Sequence, residues 1–438
     1  MWMRKRIKKW KTLLSENFYS LKKKILSLGL CLLLSFVGFS QNISYAKGLL
    51  DSLCSPGFYG RGYVNSGEKI AADFIAGQLK KLNVNAFPGG YFQTFTIPIN
   101  TLPGNIELKI NGKVLLPGTD FFISPDAPTA DTVFTTYTIL NEKTLKTDRS
   151  SKKFHSKNYK NQLIIIDTGF KKKDDSKLSE ACLLLKINDK NMVWSVSRAQ
   201  KQNKQLIVNV KRNALPKKIK SICLKVDAKF EKDYPVENVV GYLPGKVCPD
   251  TFIVVGAHYD HLGMMGNKTY FPGANDNASG TAMVLDLARH FSDTSNMGKY
   301  SIAFILFTGE EAGLLGSEYY TKHPLFPLKN IKFMVNLDMV GTGSEGIKVV
   351  NGSVLKKEFE MLKNLNEQHN YLKTISERGE AANSDHYYFY KNGVKSFFIY
   401  TLGNEYKEYH TVTDKAAGLP LTKYNEVFKL VVDFIRSF

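Results

Sequence analysis

The chain has 438 residues, of which 43% are hydrophobic and 23% are charged, and these shares are ordinary for a globular protein. The length exceeds what one compact core usually holds, so we expect two folded parts. The sequence shows no internal repeat or long low-complexity tract, which excludes a repeat architecture, and its formal net charge of +20 is unevenly distributed.

The amino terminus has the pattern of a secretion signal. Lysine and arginine are concentrated within residues 4–24, and the apolar run at residues 25–39 follows them. At about fifteen residues this run is short for a membrane-spanning helix, and small and polar residues near position 40 suit cleavage. We therefore predict a signal peptide over residues 1–40 and export to the periplasm or the extracellular space. The alternative is that the signal stays uncleaved and anchors the protein. We expect no other attachment to a membrane.

Residues 41–100 read as the first part of a folded domain. Apolar residues recur at helical spacing over residues 68–82, and residues 92–98 read as a strand. From residue 101 to residue 235 short strand signals dominate, for example at residues 106–110 and 206–210. This change of pattern predicts a smaller, β-rich domain inserted into the first one.

The β-rich segment is also basic. Residues 141–235 contain 24 lysines and arginines against 10 aspartates and glutamates. The lysines lie in loop-like runs, such as Ser151-Lys152-Lys153 and Lys171-Lys172-Lys173, with few aromatic neighbours and no recognisable binding motif. Such runs are typical of a solvated surface, so we expect no nucleic-acid partner.

Residues 236–438 show strands that alternate with helices. Buried strands are predicted at residues 251–256, 301–307, 331–337 and 396–400, and a helix from residue 279 or 281 to residue 291. This alternation is typical of an α/β fold with a mixed, mostly parallel sheet flanked by helices. Such sheets bind ligands beyond the carboxyl ends of their strands.

Residues that bind metals follow these strands in order. The chemistry of a two-zinc site requires one bridging carboxylate and a set of His and carboxylate ligands for each ion. We assign the bridge to Asp276, and expect that His258 and Asp338 bind one zinc ion while Glu311 and His410 bind the other. Single acidic residues at strand ends are more often caps or solvated charges, so the prediction depends on the ordered set.

Other residues in the same motifs have roles that a hydrolase requires. Glu310 precedes a ligand and is the candidate base that takes a proton from the attacking water. Tyr409 is the candidate donor to the oxyanion. Asp260 and Asp414 are the expected hydrogen-bond partners of His258 and His410, because a ligating imidazole usually donates its other N–H to a carboxylate or a carbonyl.

These motifs resemble those of the co-catalytic zinc peptidases of metallopeptidase family 28. The resemblance covers residues from about 236 to the carboxyl terminus, and it implies two zinc ions and a peptide substrate. It also implies that the segment Ser384-Asp385-His386 lines the substrate pocket, although a helix cap at Ser384 and Asp385 is an alternative. In position and pattern, the insert at residues 101–235 resembles the protease-associated domain of that family.

The resemblance implies an exopeptidase, and we expect an aminopeptidase that uses a metal-bridging hydroxide. Carboxylates near the metals suit the α-ammonium group of a substrate, whereas a carboxypeptidase needs an arginine cluster, for which Arg378 is the candidate. Glutaminyl cyclase, a single-zinc transferase of the same family, is an alternative. A binding protein without turnover is disfavoured because every expected ligand is present.

Overall fold

A computed structural model describes residues 42–170 and 176–438. The predicted signal peptide at residues 1–40 and the lysine run at residues 171–173 lie outside the described residues. Within the described ranges, every helix is too short or too polar to cross a membrane.

Strands alternate with helices over residues 248–438, whereas strands dominate residues 92–243. The helices are α1 (Ile43–Leu53), α2 (Gly67–Lys81), α3 (Asp148–Ser156), α4 (Ser279–Ser292), α5 (Leu315–Lys322), α6 (Lys356–His369), α7 (His386–Lys391) and α8 (Tyr424–Arg436). The strands are β1 (Phe92–Thr101), β2 (Ile106–Ile110), β3 (Lys113–Leu115), β4 (Phe121–Ile123), β5 (Ala130–Phe134), β6 (Thr138–Leu140), β7 (Leu163–Ile166), β8 (Leu183–Asn188), β9 (Leu206–Lys211), β10 (Ile222–Val226), β11 (Lys229–Leu243), β12 (Cys248–His258), β13 (Met264–Met265), β14 (Thr269–Tyr270), β15 (Tyr300–Phe307), β16 (Ile331–Leu337), β17 (Gly346–Val350), β18 (Ile375–Arg378) and β19 (Ser396–Leu402).

An eight-stranded mixed sheet forms the centre of the fold. Its strand order is β1-β11-β15-β12-β16-β19-β17-β18. The four middle strands, β15, β12, β16 and β19, are parallel, whereas β11 and β17 join them antiparallel. The strands predicted at residues 251–256, 301–307, 331–337 and 396–400 are these four, so the predicted parallel core is confirmed.

Helices cover both faces of this sheet. Side chains along β15 alternate between the faces: Phe304 packs with α4 and α8, whereas Ile305 packs with Tyr320 of α5 and Phe389 of α7. Burial on both faces explains why the middle strands are continuous apolar runs rather than alternating ones. The predicted α/β fold class is confirmed.

The segment between β1 and β11 forms two smaller sheets. One is antiparallel, in the order β3-β2-β10-β5, and the other is mostly parallel, in the order β4-β9-β8-β7-β6. The run Ser151-Lys152-Lys153 lies in helix α3, so the prediction of a loop there is wrong. Thr147 caps this helix by accepting a hydrogen bond from the Ser150 N–H. The charge pattern alone does not predict this local contact. The domain boundaries and the likeness to a protease-associated domain stay predictions.

Arg61 joins three separate segments beneath the sheet edge where the predicted ligands lie. Its guanidinium is fully buried and donates to the carbonyl oxygens of Leu53, Tyr259, Pro272 and Gly273, at 2.6 to 3.0 Å. Tyr259 follows His258, and Gly273 precedes the Asp276 loop. One buried side chain therefore fixes two ligand-bearing segments against the end of α1.

We expect Arg61→Met to lower the free energy of unfolding by about 3 kcal/mol or more, because four buried carbonyl groups lose their donor at about 1 to 3 kcal/mol each. Urea unfolding of the purified variants measures this change. Arg149→Met, at an exposed position of α3, is the matched control and should stay within about 0.5 kcal/mol of wild type. Equal losses in the two variants would contradict this role of Arg61.

Candidate metal centre

The predicted ligands meet at the carboxyl edge of the parallel strands. His258 is the last residue of β12, Glu311 follows β15, and Asp338 follows β16. His410 lies in the loop after β19, and Asp276 lies in the turn before α4. All five side chains are buried, with exposed fractions of 1 to 7%. The structure thus brings together residues that are up to 152 positions apart in the chain.

Asp276 lies between the two histidines. Its Oδ1 is 3.4 Å from Nε2 of His258, and its Oδ2 is 2.9 Å from Nε2 of His410. The same nitrogen of each histidine also faces one further carboxylate: Asp338 Oδ1 lies 3.4 Å from His258 Nε2, and Glu311 Oε2 lies 3.2 Å from His410 Nε2. This is the arrangement predicted for one bridging carboxylate and two pairs of terminal ligands.

The spacing of these atoms fits zinc. Ligand atoms at about 2.0 to 2.2 Å from a tetrahedral zinc ion lie about 3.3 to 3.6 Å from one another. Three of the four distances between the histidine nitrogens and the carboxylate oxygens are within about 0.1 Å of that range. Among the residues that the structure describes, Asp338 Oδ1 is buried without a hydrogen-bond partner, which is the state expected of an atom whose partner is a metal ion. The donor set of imidazole and carboxylate groups is also one that zinc accepts.

The turn before α4 depends on Gly273. Its φ is 61°, and an added Cβ would lie 2.4 Å from both the Asp276 carbonyl oxygen and the His261 ring. A larger residue there would displace the Asp276 loop and a histidine of the site.

Glu310 and Glu311 point into different parts of the site. The Glu310 carboxylate groups with His258 and Asp338, all within 4.8 Å of one another, whereas Glu311 groups with His261 and Asp276. Neighbouring residues that diverge in this way can supply one ligand and one base from a single turn.

Asp260 contacts His258 mainly through its main chain. Nδ1 of His258 donates to the carbonyl oxygen of Asp260 at 3.1 Å, and the Asp260 carboxylate is 3.6 Å away. That carboxylate accepts from the backbone N–H groups of Glu310 and Glu311, at 3.2 and 3.4 Å. Asp260 is therefore the partner of His258 through the carbonyl, one of the two acceptors expected, and its carboxylate fixes the loop of the two glutamates.

The predicted contact between Asp414 and His410, in contrast, is wrong. The Asp414 carboxylate accepts from the N–H groups of Asn275 and Asp276, at 2.9 and 3.2 Å, and so holds the Asp276 turn. Nδ1 of His410 donates to the carbonyl oxygen of Trp194 at 2.7 Å. A residue of the β-rich segment thus takes the place that we had assigned to a nearby aspartate.

His261 is a residue of the site that the sequence analysis missed. It is buried, and its Nδ1 lies 2.8 Å from Oε1 of Glu311, on the side of the carboxylate away from His410. The signal available in the sequence was a second histidine directly after His258-Tyr259-Asp260. Because β12 ends at His258, the strand alternation no longer shows where the His261 side chain points.

Residues 384–386 are fully buried beside the centre. The Ser384 hydroxyl donates to Asp338 Oδ2 at 2.8 Å, which leaves Oδ1 to face His258. Asp385 precedes α7 without forming a side-chain cap, so the helix-cap alternative is wrong for this residue. Both oxygens of Asp385 and both ring nitrogens of His386 are without a hydrogen-bond partner among the described residues. Their role in the substrate pocket stays a prediction.

The electrostatics of the cluster show that it needs positive charge. Burial alone would lower the pKa of His410, but the carboxylates of Glu311 and Asp276 raise it to about 11. Burial opposes ionisation of Glu311, yet its contact with His410 lowers its pKa to about 2. Burial and the charge of Glu311 raise the pKa of Glu310 well above its usual range, although His258 opposes this. The imidazoles act as the counter-charges that metal ions would supply.

Tyr409 lies at the open side of the centre. Its ring stacks on that of His410 with the centroids 3.9 Å apart, and 42% of the residue is exposed. Burial of the hydroxyl and the nearby carboxylates raise its pKa, so the phenol stays protonated at neutral pH. The residue therefore retains the proton that the predicted donor role requires.

Comparisons with known proteins find similar sequences over the second half of the chain. Residues 238–435 match the family model described as Peptidase family M28. A probable leucine aminopeptidase of Arthroderma otae is 34% identical over 214 residues, which cover 47% of this chain and 58% of that protein. Aminopeptidase YwaD of Bacillus subtilis is 31% identical over 214 residues, which cover 44% of this chain and 43% of that protein. The chain spans about half the length of these curated relatives.

Solved structures are similar over a larger part of the chain. The zinc aminopeptidase BSAP of Bacillus subtilis aligns with a TM-score of 0.67 at 21% identity, covering 90% of this chain and 94% of that one. A peptidase M28 precursor from Shewanella amazonensis aligns with a TM-score of 0.65 at 16% identity, covering 91% and 97%. At these identities the similarity shows that the fold is shared.

We expect zinc to raise the melting temperature of the metal-free protein. Binding to the folded state alone, at a free concentration 1,000 times the dissociation constant, contributes about 4 kcal/mol. Differential scanning fluorimetry after chelation, with and without added zinc, measures the shift. Asp276→Asn should reduce it strongly because the bridging charge is lost. Asp286→Asn, a buried aspartate within α4, is the control and should retain it; equal shifts in all three proteins would contradict a centre built on Asp276.

Proposed function

We propose that the protein, whose residues 238–435 match the model of peptidase family M28, is an exported aminopeptidase with two zinc ions at the centre described above. The observation that carries this proposal is the Asp276 carboxylate, one oxygen of which faces His258 and the other His410. The proposal of export rests on the amino-terminal sequence pattern at residues 1–40.

Zinc supplies Lewis acidity and lowers the pKa of a bound water. The protein residues around it divide the remaining tasks. Glu310 is close to the ligands, is half-buried and has a raised pKa, so it suits a group that accepts a proton and returns it to the leaving amine. Tyr409 keeps its hydroxyl proton and lies against His410, where it suits donation to the oxyanion.

The distribution of charge favours attack at the amino end of a peptide. The carboxylates of Glu310, Asp338 and Asp385 lie around the centre and suit the α-ammonium group of a substrate. Arg378, the candidate for binding a terminal carboxylate, is exposed at the end of β18. Relatives described as aminopeptidases support the same choice.

A peptide-library digest tests the proposed activity. We expect the zinc-loaded protein to release residues singly from free amino termini and to leave acetylated peptides intact, as read by mass spectrometry. Release from the carboxyl end would identify a carboxypeptidase instead. Loss of ammonia from glutamine-headed peptides without hydrolysis, with one zinc ion bound, would identify a glutaminyl cyclase.

The amino terminus of the exported protein tests the proposed signal cleavage. Protein collected from the medium or periplasm should begin near residue 41, and an intact first residue would contradict signal cleavage.

Glu310→Gln tests the proposed base. We expect kcat to fall by about 10²- to 10⁴-fold, since the variant cannot accept the proton, while the zinc content stays that of wild type. Peptidase assays and elemental analysis of the same preparations measure both quantities. Glu318→Gln, in the first turn of α5, is the matched control and should keep wild-type kcat. A fully active Glu310→Gln protein would remove this residue from the mechanism.

A further inference from the structure

One loop of the β-rich segment reaches the metal centre. Residues 192–200, named here the clasp loop, lie in the connection between β8 and β9. At one end the Trp194 main chain pairs with His410, and at the other end Gln200 donates to the carbonyl oxygen of Ala312 at 2.5 Å. Ala312 follows Glu311. The clasp loop therefore contacts both loops that carry the ligands of one proposed zinc ion.

The contact with His410 consists of two hydrogen bonds in opposite directions. The Trp194 N–H donates to the His410 carbonyl oxygen at 3.1 Å, and His410 Nδ1 donates to the Trp194 carbonyl oxygen at 2.7 Å. Since a carbonyl oxygen can only accept, the second bond places the ring proton on Nδ1. Nε2, which faces Asp276 and Glu311, is then the ring nitrogen left for a zinc ion.

The His410 backbone needs such support. Its φ is 52°, in the left-handed region that a residue with a side chain adopts at a cost of about 1 kcal/mol or more. The pair of hydrogen bonds with Trp194 fixes both the main chain and the ring of this strained residue.

The Trp194 main chain is itself held by its indole ring. Nε1 donates to the Ile123 carbonyl oxygen at 2.7 Å, and the ring centroid lies 4.8 Å from that of Phe271. Only 5% of the residue is exposed. The ring therefore determines where the main-chain atoms that contact His410 lie.

We propose that Trp194 is a positioning residue, through which the β-rich segment sets the zinc affinity of His410. This inference rests on the proposed function, since it concerns the zinc centre. It assigns the segment a role inside the metal centre. If Trp194 had a purely structural role, its substitution would lower the stability of the protein without a specific effect on His410.

A double-mutant cycle between Trp194 and His410, read in zinc affinity, separates these roles. Competition with a chromophoric chelator gives the zinc dissociation constants of wild type, Trp194→Ala, His410→Ala and the double variant. We expect Trp194→Ala to weaken the same binding step as His410→Ala, by about 10- to 100-fold. The double variant should bind no more weakly than His410→Ala, because Trp194 acts through the imidazole.

Trp194→Phe keeps an aromatic ring but lacks the donor to Ile123, and it carries the same cycle if the alanine variant does not fold. We expect it to weaken the same step by less than Trp194→Ala does. Phe154→Ala is the matched control, because Phe154 is a buried aromatic residue in a separate cluster of the β-rich segment. This variant should have a lower free energy of unfolding but the zinc dissociation constants of wild type.

Losses that add in the double variant, or Trp194 variants with wild-type zinc constants, would overturn the positioning role. The same holds if Phe154→Ala weakens zinc as much as Trp194→Ala does. Because the cycle is read in zinc affinity alone, a wild-type protein that binds zinc without hydrolysing peptides contradicts the proposed function and not this inference.

Discussion

Several carboxylates converge in one buried space, and their mutual repulsion is the constraint on which the centre depends. Asp276, Glu311 and Asp338 are each at most 6% exposed, and half-buried Glu310 lies beside them. Buried like charges are unfavourable unless cations or donors offset them. The structure offsets them with histidines and leaves the oxygen and nitrogen spacings that zinc fits. The buried negative charge that would bind zinc at this edge of the sheet is therefore also the charge that must be offset for this edge to fold.

The loops that carry these charges are held by a repeated device. Asp260 accepts the two consecutive backbone N–H groups of Glu310 and Glu311, and Asp414 accepts those of Asn275 and Asp276. Each buried carboxylate is thus satisfied by the backbone of a ligand-bearing loop, which fixes the loop before any metal binds. Of the two aspartates predicted as partners of the histidines, Asp260 contacts His258 through its carbonyl oxygen, whereas Asp414 acts instead on the main chain of the Asp276 turn.

The sequence predicted the framework well, because hydrophobic runs report burial directly. The four middle strands and α4 appear where continuous apolar runs and helical spacing place them. β12 ends at His258, Glu311 follows β15 in the next loop, and Asp338 directly follows β16, so the placement of these proposed ligands followed from the fold class. The hydrogen bonds around the ligands did not follow. The rule that an imidazole donates to a carboxylate or a carbonyl leaves the acceptor open, and every residue has a carbonyl, so no side-chain pattern could identify Trp194.

Trp194 and His410 are 216 residues apart, and the main sheet could form without their contact. The entropy of closing so long a loop grows only slowly with length, so an inserted segment can supply such a contact at little additional cost. Because the clasp loop holds His410, a substitution in the β-rich segment can change the positions of the proposed zinc ligands through Trp194 and Gln200. The segment then becomes a place where metal affinity can be tuned while the ligands themselves stay unchanged.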